Sequence, residues 1–338
     1  MKFSVVMHTC RKDDPGLPAP VLQMMLDSML AQDYSGALEL IIVDLLYKQR
    51  REWFAELLDR YQRENRDWGC PVLHVPDRST PFKDEGILRI CSPKNTGILL
   101  ARGTHVVFTD DCQVLPPDGL SRLANWATQG AGATTCYQKA IWKEGQEDHV
   151  TGRDQRGVHL GVPTGEGKIV QTRQIGFLGG TLSMLPLETL LRLNGWDEGF
   201  DGSRQLEDGD MILRLTAAGQ QMAYENRTTV TEYEVGAYDE DVVSTQPIKC
   251  NGAYAQWKWS HLQIEANRGY DAETIRRMGW SDCIRLAEDQ KCSPHLSPCT
   301  LLGDQERLER IFTDPRLTFD LRQEREEVNW ENALSKLQ

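Results

Sequence analysis

Over the first half of the chain, apolar and polar positions fall into short apolar runs that alternate with segments of helical spacing, as a parallel or mostly parallel sheet requires. Phe3 to Met7 reads as a first strand. A helix from Pro20 to Gln32 follows, with Leu22, Met25, Leu26, Met29 and Leu30 on one stripe. Leu38 to Val43 reads as a second strand, and Gln49 to Asn65, with Trp53, Phe54, Leu57, Leu58 and Tyr61 in register, as a second helix. Val72 to Val75 is a third strand. A helix opening at Ser92-Pro93 runs through Asn95 to Ala101, and Gly103 stops it before a fourth strand, His105 to Thr109. Pro116 to Gln129 reads as a helix and Gly132 to Tyr137 as a strand, which makes a sheet of about five strands within roughly 140 residues.

The pattern then changes. From Lys143 to Lys168, Gly145, Gly152, Gly157, Gly161, Gly165 and Gly167 are mixed with charges, little is available to bury, and the expectation is a long loop of the lid or binding kind. Order returns at Ile175 to Met184, with a helix around Leu187 to Leu193, a second acidic segment from Trp196 to Asp210, a helix through Gly219, and strands at Met222 to Tyr224 and Thr229 to Tyr233. The expected organisation is a catalytic domain over 1–240, with a nucleotide-binding half at 1–140 and a second half at 141–240. A mostly helical appendage over 241–338 packs on it.

In an open α/β sheet, ligands collect beyond the carboxyl ends of the strands. Those ends are polar here: His8-Thr9-Cys10-Arg11 after the first strand, Asp44 after the second, Asp110-Asp111 after the fourth. Asp44 suits a base or ribose contact and equally a turn. The Phe108-Thr109-Asp110-Asp111-Cys112 turn places adjacent carboxylates that repel unless something positive neutralises them, as a hard divalent cation bridging two phosphates does. Leu206-Glu207-Asp208-Gly209-Asp210 opens an amphipathic stretch, where carboxylates also suit a helix N-terminus.

Charge and composition narrow the partners. Lys and Arg total 38 against 50 Asp and Glu, a formal charge of −12, which disfavours nucleic acid without excluding a local basic groove. With 40% hydrophobic residues the 338-residue chain supports a sizeable core. No run approaches the roughly 18 apolar residues of a membrane span and no signal-peptide pattern follows Met1, so the expected place is the cytoplasm. Nine cysteines, an odd number, then read as reduced thiols.

Eight runs occur together in one order: Phe3-Ser4-Val5-Val6-Met7-His8-Thr9; Asp27-Ser28-Met29-Leu30-Ala31-Gln32; Glu39-Leu40-Ile41-Ile42-Val43-Asp44; Asn95-Thr96-Gly97 with Ala101-Arg102-Gly103; Val107-Phe108-Thr109-Asp110-Asp111; Pro117-Asp118-Gly119-Leu120; Asn194-Gly195-Trp196-Asp197-Glu198-Gly199-Phe200; and Glu207-Asp208-Gly209-Asp210 with Leu213-Arg214-Leu215. Over about residues 3 to 235 this resembles family-2-like glycosyltransferases of the GT-A fold, a mixed, mostly parallel sheet flanked by helices. The resemblance implies an inverting hexosyltransferase that uses a nucleotide-sugar donor, UDP-sugar by default, with manganese or magnesium. The acceptor is a glycan, a small molecule or another hydroxyl-bearing substrate. By position it implies donor-nucleotide contacts from Thr9, Arg11, Asp44, Asn95, Arg102, Asp110 and Asp111, and a general base at Asp208 with Glu207 as alternate. Trp196 and Asp197 would line the donor-sugar or acceptor cleft, though an aromatic packed under a Gly-rich turn explains Trp196 equally.

Two departures from the family pattern stand out. The third position of the D-x-D metal motif is Cys112, so either Asp111 takes the ligand role after a one-residue shift, or the metal is held by fewer protein groups and more phosphate and water. The His that some relatives place after the acidic helix is absent, and Glu232 or Glu234 substitutes or nothing does. In the tail, Cys283, Cys292, His295 and Cys299 form C-x8-C-x2-H-x3-C between Pro294 and Pro298, a set that suits tetrahedral structural zinc stapling a loop at 283–299, or else a loop of reduced thiols. The aromatic cluster Tyr254, Trp257 and Trp259 with His261 reads as a core stripe or an acceptor platform. Two other classes remain open: a nucleotidyltransferase, for which Arg11 to Gly16 is a weak phosphate loop, and a non-catalytic sugar- or nucleotide-binding relative, favoured by Cys112 and disfavoured by Glu207-Asp208.

Overall fold

The structure, a computed structural model, describes residues 1–9, 21–64, 69–78, 89–141, 149–171, 177–179, 182–201, 207–233 and 320–327. Its elements in order are β1 (Lys2–Thr9), α1 (Val21–Leu30), β2 (Ala37–Asp44), α2 (Tyr47–Arg63), β3 (Val72–Pro76), α3 (Cys91–Leu100), β4 (His105–Asp110), β5 (Gln113–Val114), α4 (Gly119–Ala127), β6 (Gly132–Ile141), β7 (His149–Arg153), α5 (Arg156–Leu160), β8 (Gly167–Val170), β9 (Ser183–Pro186), α6 (Leu187–Arg192), a 3-10 turn (Glu198–Phe200), α7 (Glu207–Ala217), β10 (Met222–Tyr233) and α8 (Leu321–Glu327).

Ten strands form one sheet in the order β3-β2-β1-β4-β9-β6-β10-β5, with β7 beside β6 and β8 beside β10. The half from β3 to β4 is parallel, as the near-continuous apolar runs Val5-Val6-Met7, Leu40-Ile41-Ile42-Val43 and Val106-Val107-Phe108 predict for strands buried on both faces. One core layer, containing Met25, Leu26, Phe54, Tyr61, Leu120 and Leu123, packs α1, α2 and α4 on one face. The other, containing Ile98, Leu190, Trp196, Met211, Leu215 and Leu321, packs α3, α6, α7 and α8 on the opposite face. The result is a helix–sheet–helix sandwich, mostly parallel, as the patterning predicts.

Register positions the chemistry. Thr9 lies opposite Asp44 and His8 opposite Asp110, so β1, β2 and β4 end level with one another and present their terminal polar residues at one edge.

Several local expectations change. The segment read as a loop carries β7, α5 and β8 over 149–170, because β7 extends β6 and β8 extends β10 through main-chain hydrogen bonds that side-chain hydrophobicity does not announce. β6 does not adjoin β4: β9 inserts between them, antiparallel to both, a pairing made across the long sequence interval from residue 110 to 183. The helix read through Gly219 ends at Ala217, where Gly219, at φ +72°, turns the chain as its N–H reaches Thr216 and that of Gln220 reaches Leu215. The two strands after it are one, β10, with an irregularity between Glu225 and Thr229.

Residues 320–327, which sequence pattern assigns to the appendage, complete the core. Leu321 is fully buried among the side chains of α3, α6 and α7, and Arg325 donates to the carbonyls of Ile98 (3.1 Å) and Leu99 (2.8 Å) at the end of α3. No described helix is long and apolar enough to cross a membrane.

α3 lies so close to β1 that a Cβ at Gly97 would overlap both methyl groups of Val6. Alanine in a helix interior normally stabilises by up to ~1 kcal/mol. Here overpacking wins, and Gly97→Ala is expected to lower stability by about 1–3 kcal/mol in urea denaturation.

Candidate active site

Two polar clusters occupy the carboxyl edge of the parallel half, one sealed and one open. The sealed cluster centres on Asp44, fully buried at the end of β2. Its two carboxylate oxygens accept four hydrogen bonds: from Arg50 Nε (3.0 Å) and Nη2 (2.6 Å), from the Leu46 N–H (2.8 Å), and from His74 Nε2 (2.9 Å). Burial alone would raise the Asp44 pKa, but the His74 hydrogen bond and the Arg50 charge outweigh it and hold the carboxyl below its usual range. Arg50 reaches this position because α2 starts directly after β2 and turns its first buried residue back toward the strand end. The same guanidinium donates to Thr9 Oγ1 (3.0 Å), whose hydroxyl donates to Asp111 Oδ2 (2.7 Å). Thr9, Asp44 and Asp111 are thus brought together, with Asp44 saturated by internal donors. In this structure it anchors the strand ends and has no lone pair left for a base or ribose.

The open cluster lies beside it. Asp110, 37% exposed at the end of β4, faces His8 Nε2 at 3.6 Å and accepts from Gln113 Nε2 at 3.3 Å. Burial lowers the His8 pKa against the pull of Asp110, and the Lys94 charge acts in the same direction as burial, so His8 is neutral near pH 7. Lys94 enters from α3, with Nζ 3.1 Å from Asp208 Oδ1 and 3.9 Å above the centre of the Trp196 ring. Burial would lower its pKa, but Asp208, Glu207 and Asp110 together raise it, so the ammonium is charged. Glu207 and Asp208 open α7 and differ in environment. The Asp208 side chain is 18% exposed, whereas Glu207 is buried, with Oε2 unbonded among the described residues. Burial, and after it the Asp208 charge, pushes Glu207 up toward its neutral form.

A third set of contacts holds the elements behind the open cluster. Asp201 accepts from the N–H groups of Ile90 (2.7 Å), Cys91 (2.7 Å) and Ser92 (3.0 Å), which caps α3 from a distant segment. Burial lifts Asp201 to about 6 despite these bonds. Asn95 pairs with the Trp196 main chain through both ends of its amide (2.7 and 2.8 Å) and donates to Glu198 Oε1 (2.8 Å). Arg78 links Glu198 (2.8 Å) to Glu324 of α8 (2.6 Å). Arg214 of α7 pairs with Asp210 (2.7 Å) and donates to the carbonyls of Leu193 and Gly195.

These positions correct parts of the sequence reading. Arg102 is not at the ligand edge: it pairs with Glu39 (Nε to Oε2, 2.8 Å) at the start of β2, beside Lys2, at the amino ends of the strands. Asn95 is fully buried with its amide spent on the Trp196–Glu198 segment, so it positions that segment and does not face a nucleotide. The Cys112 side chain packs with Val21, Ala140 and Tyr233 in an apolar cluster, away from the open carboxylate of Asp110 in burial and surroundings. Trp196 is 2% exposed and stacks edge-on against Phe108, so it forms the floor under Lys94 and not a cleft wall. Asp197 caps the 3-10 turn by accepting from the Gly199 N–H at 2.9 Å. Arg11, Glu234, the aromatic group at 254–261 and the zinc set Cys283, Cys292, His295 and Cys299 lie outside the described residues. Glu232 lies 3.4 Å from Lys139.

Sequence pattern does not mark Arg50 or Lys94 as site residues. For Lys94 a signal exists: it is the one charged residue in Cys91-Ser92-Pro93-Lys94-Asn95-Thr96-Gly97-Ile98-Leu99-Leu100, a helix buried nearly all round, where a charge requires a partner.

Removing the Arg50 guanidinium strands a buried carboxylate, and Arg50→Leu is expected to cost about 3–5 kcal/mol at pH 7. Because the Asp44 pKa is depressed in the folded protein, its contribution is present above the unfolded value, about 3.9, and fades as pH falls through the folded one. Urea titrations from pH 7 to pH 3 should therefore show the gap between wild type and variant closing below about pH 4.

A profile of the family described as Glycosyltransferase like family 2 matches residues 3–242. No curated protein sequence matches the chain. Among solved structures, S. aureus TarS resembles it with a TM-score of 0.51 at 11% identity, over 86% of this chain and 44% of that one. GalNAc-T7, solved with UDP, GalNAc and Mn2+, resembles it with a TM-score of 0.51 at 10% identity, over 91% of this chain and 55% of that one. The chain therefore spans less than half the length of TarS. These likenesses carry the fold, and the profile match carries the family: the chain belongs to glycosyltransferase-like family 2 and has the GT-A fold.

Proposed function

We propose that the chain transfers a hexosyl group, with inversion, from a nucleoside diphosphate sugar to the hydroxyl of a glycan, small molecule or other acceptor, with UDP-sugar as the default donor. The observation that carries this is a partly open carboxylate, Asp208, paired at 3.1 Å with the charged Lys94, which a second open carboxylate at the carboxyl edge of the parallel strands, Asp110, also influences. In the proposed reaction Asp208 takes the proton of the acceptor hydroxyl as its oxygen bonds to the anomeric carbon. The bond from that carbon to the diphosphate oxygen breaks, and its electron pair leaves with the nucleoside diphosphate. The environment separates the two candidates for base: Glu207 is buried and pushed toward its neutral form, while Asp208 is partly open and paired with the Lys94 ammonium.

The donor set at the acidic turn fits a cation shared with substrate. Asp110 is the open carboxylate, Asp111 is turned to Thr9, Cys112 is in an apolar cluster, and no three His, Cys, Asp or Glu side chains converge among the described residues. A divalent ion, manganese or magnesium, would therefore be held through Asp110 with phosphate and water in the other positions, the arrangement such hard ions commonly accept. When bound it would neutralise charge on the diphosphate. The solved GalNAc-T7 complex with UDP, GalNAc and Mn2+, on the same fold, supports this reading.

Calorimetry with UDP, GDP, CDP and dTDP sugars, with and without manganese, tests it. One nucleotide should bind, and Asp208→Asn should keep that binding while turnover falls by roughly 10²–10⁴-fold. If Asp208→Asn turns over normally, the base is elsewhere. Cys112→Ser should leave the manganese concentration for half-maximal activity unchanged, and a shift there would restore Cys112 as a ligand.

A further inference from the structure

Lys94 is more heavily committed to the site than a structural ion pair requires. Its side chain is 9% exposed, and it comes from a helix in which every residue from Cys91 to Leu99 is buried. Two fixed surfaces hold its ammonium. On one side is Asp208, and below is the Trp196 ring, itself locked by Phe108 and by both ends of the Asn95 amide. An ammonium has three N–H donors, and Asp208 is its one hydrogen-bond acceptor among the described residues. At least one donor is therefore uncommitted, on a cation that Asp208, Glu207 and Asp110 all influence.

The acidic turn beside it offers less than its sequence promises, since Asp111 serves Thr9 and Cys112 serves the core, which leaves Asp110 as the open carboxylate. A metal held by one carboxylate is weakly recruited, yet the leaving diphosphate still needs positive charge close by. A lysine is a compact point charge that serves phosphate well, and a preorganised charge in a water-poor site acts more strongly than the same charge in bulk water.

We infer that Lys94 is a resident cation for the donor diphosphate, supplying from the protein part of the charge that the shortened metal motif cannot hold, and that nucleoside diphosphate therefore binds without metal. This rests on the donor reading above. Lys94 also acquires a second role, because an arriving diphosphate shares the ammonium with Asp208, so donor binding loosens the hold on the base before the acceptor is used.

The test is calorimetric titration of the full chain with UDP, GDP, CDP and dTDP, each in EDTA and in manganese, for wild type, Lys94→Gln and Lys94→Arg. Wild type should bind one of them in EDTA within about tenfold of its manganese affinity. Lys94→Gln should lose about tenfold or more of the EDTA affinity, as expected for a hydrogen bond to a charged group, and recover most of it in manganese, which also shows that it folds. Lys94→Arg, which keeps the charge, should stay near wild type in EDTA. Binding by wild type only with manganese, or equal EDTA affinity in Lys94→Gln, overturns the inference and leaves the donor reading intact. Binding of no nucleotide under either condition overturns both. If Lys94→Gln does not fold, the wild-type and Lys94→Arg titrations in EDTA decide the matter.

Discussion

The buried ion pair between Asp44 and Arg50 is the contact on which the carboxyl edge of the sheet depends. A carboxylate fully withdrawn from water is costly unless paired and hydrogen-bonded, and Asp44 is both. Its partners come from α2, from the turn after β2 and, through His74, from β3, while Arg50 reaches across to Thr9 of β1 and, through that hydroxyl, to Asp111 after β4. Four strand ends are tied together by one guanidinium and one carboxylate. The arrangement also explains how adjacent carboxylates in the acidic turn coexist, since Asp111 is drawn inward to a donor and Asp110 is left facing solvent and His8.

Behind this edge, the segment from Asn194 to Asp201 acts as a bolt between α3 and α7. Asn194 and Gly195 both take positive φ, and at Gly195 a Cβ would run into Asn95 and Leu321, so the tight turn requires glycine there. From that turn the main chain of Trp196 is fixed by Asn95, Asp201 caps the helix that carries Lys94, and Arg214 ties the turn to the helix that carries Asp208. Lys94 and Asp208 are thus borne on elements whose ends are cross-linked, the condition under which small displacements of side chains are suppressed.

Much of this is legible from the chain alone, and the limits have a physical pattern. Runs such as Val5-Val6-Met7 and Leu40 to Val43 announce strands because burial on both faces demands apolar side chains, and the strand ends at Thr9, Asp44 and Asp110 follow from where those runs stop. Insertion of β9 between β4 and β6 is hidden, because strand neighbours separated by many residues leave no local mark. Arg102 is misplaced by sequence for a related reason: adjacency to a motif says nothing about which end of the strand a side chain reaches, and Glu39 at the amino end captures it. Arg50 carries no local mark since its meaning lies in partners from other elements, and Lys94 is marked only as the lone charge of an apolar helix. Cys112 shows the converse, a motif position whose side chain the core uses instead.

The place of α8 carries a consequence for what counts as the domain. The region that matches the family stops at residue 242, yet Leu321 fills a position between α3 and α6 that the region itself leaves open. The described element before α8 is β10, which ends at Tyr233, and α8 is held to the fold at its start, where the Leu321 N–H donates to Asn194 Oδ1 at 2.8 Å. A chain cut at the family boundary would therefore bare the apolar face that Leu321 covers, so the smallest unit that folds is longer than the region the family shares.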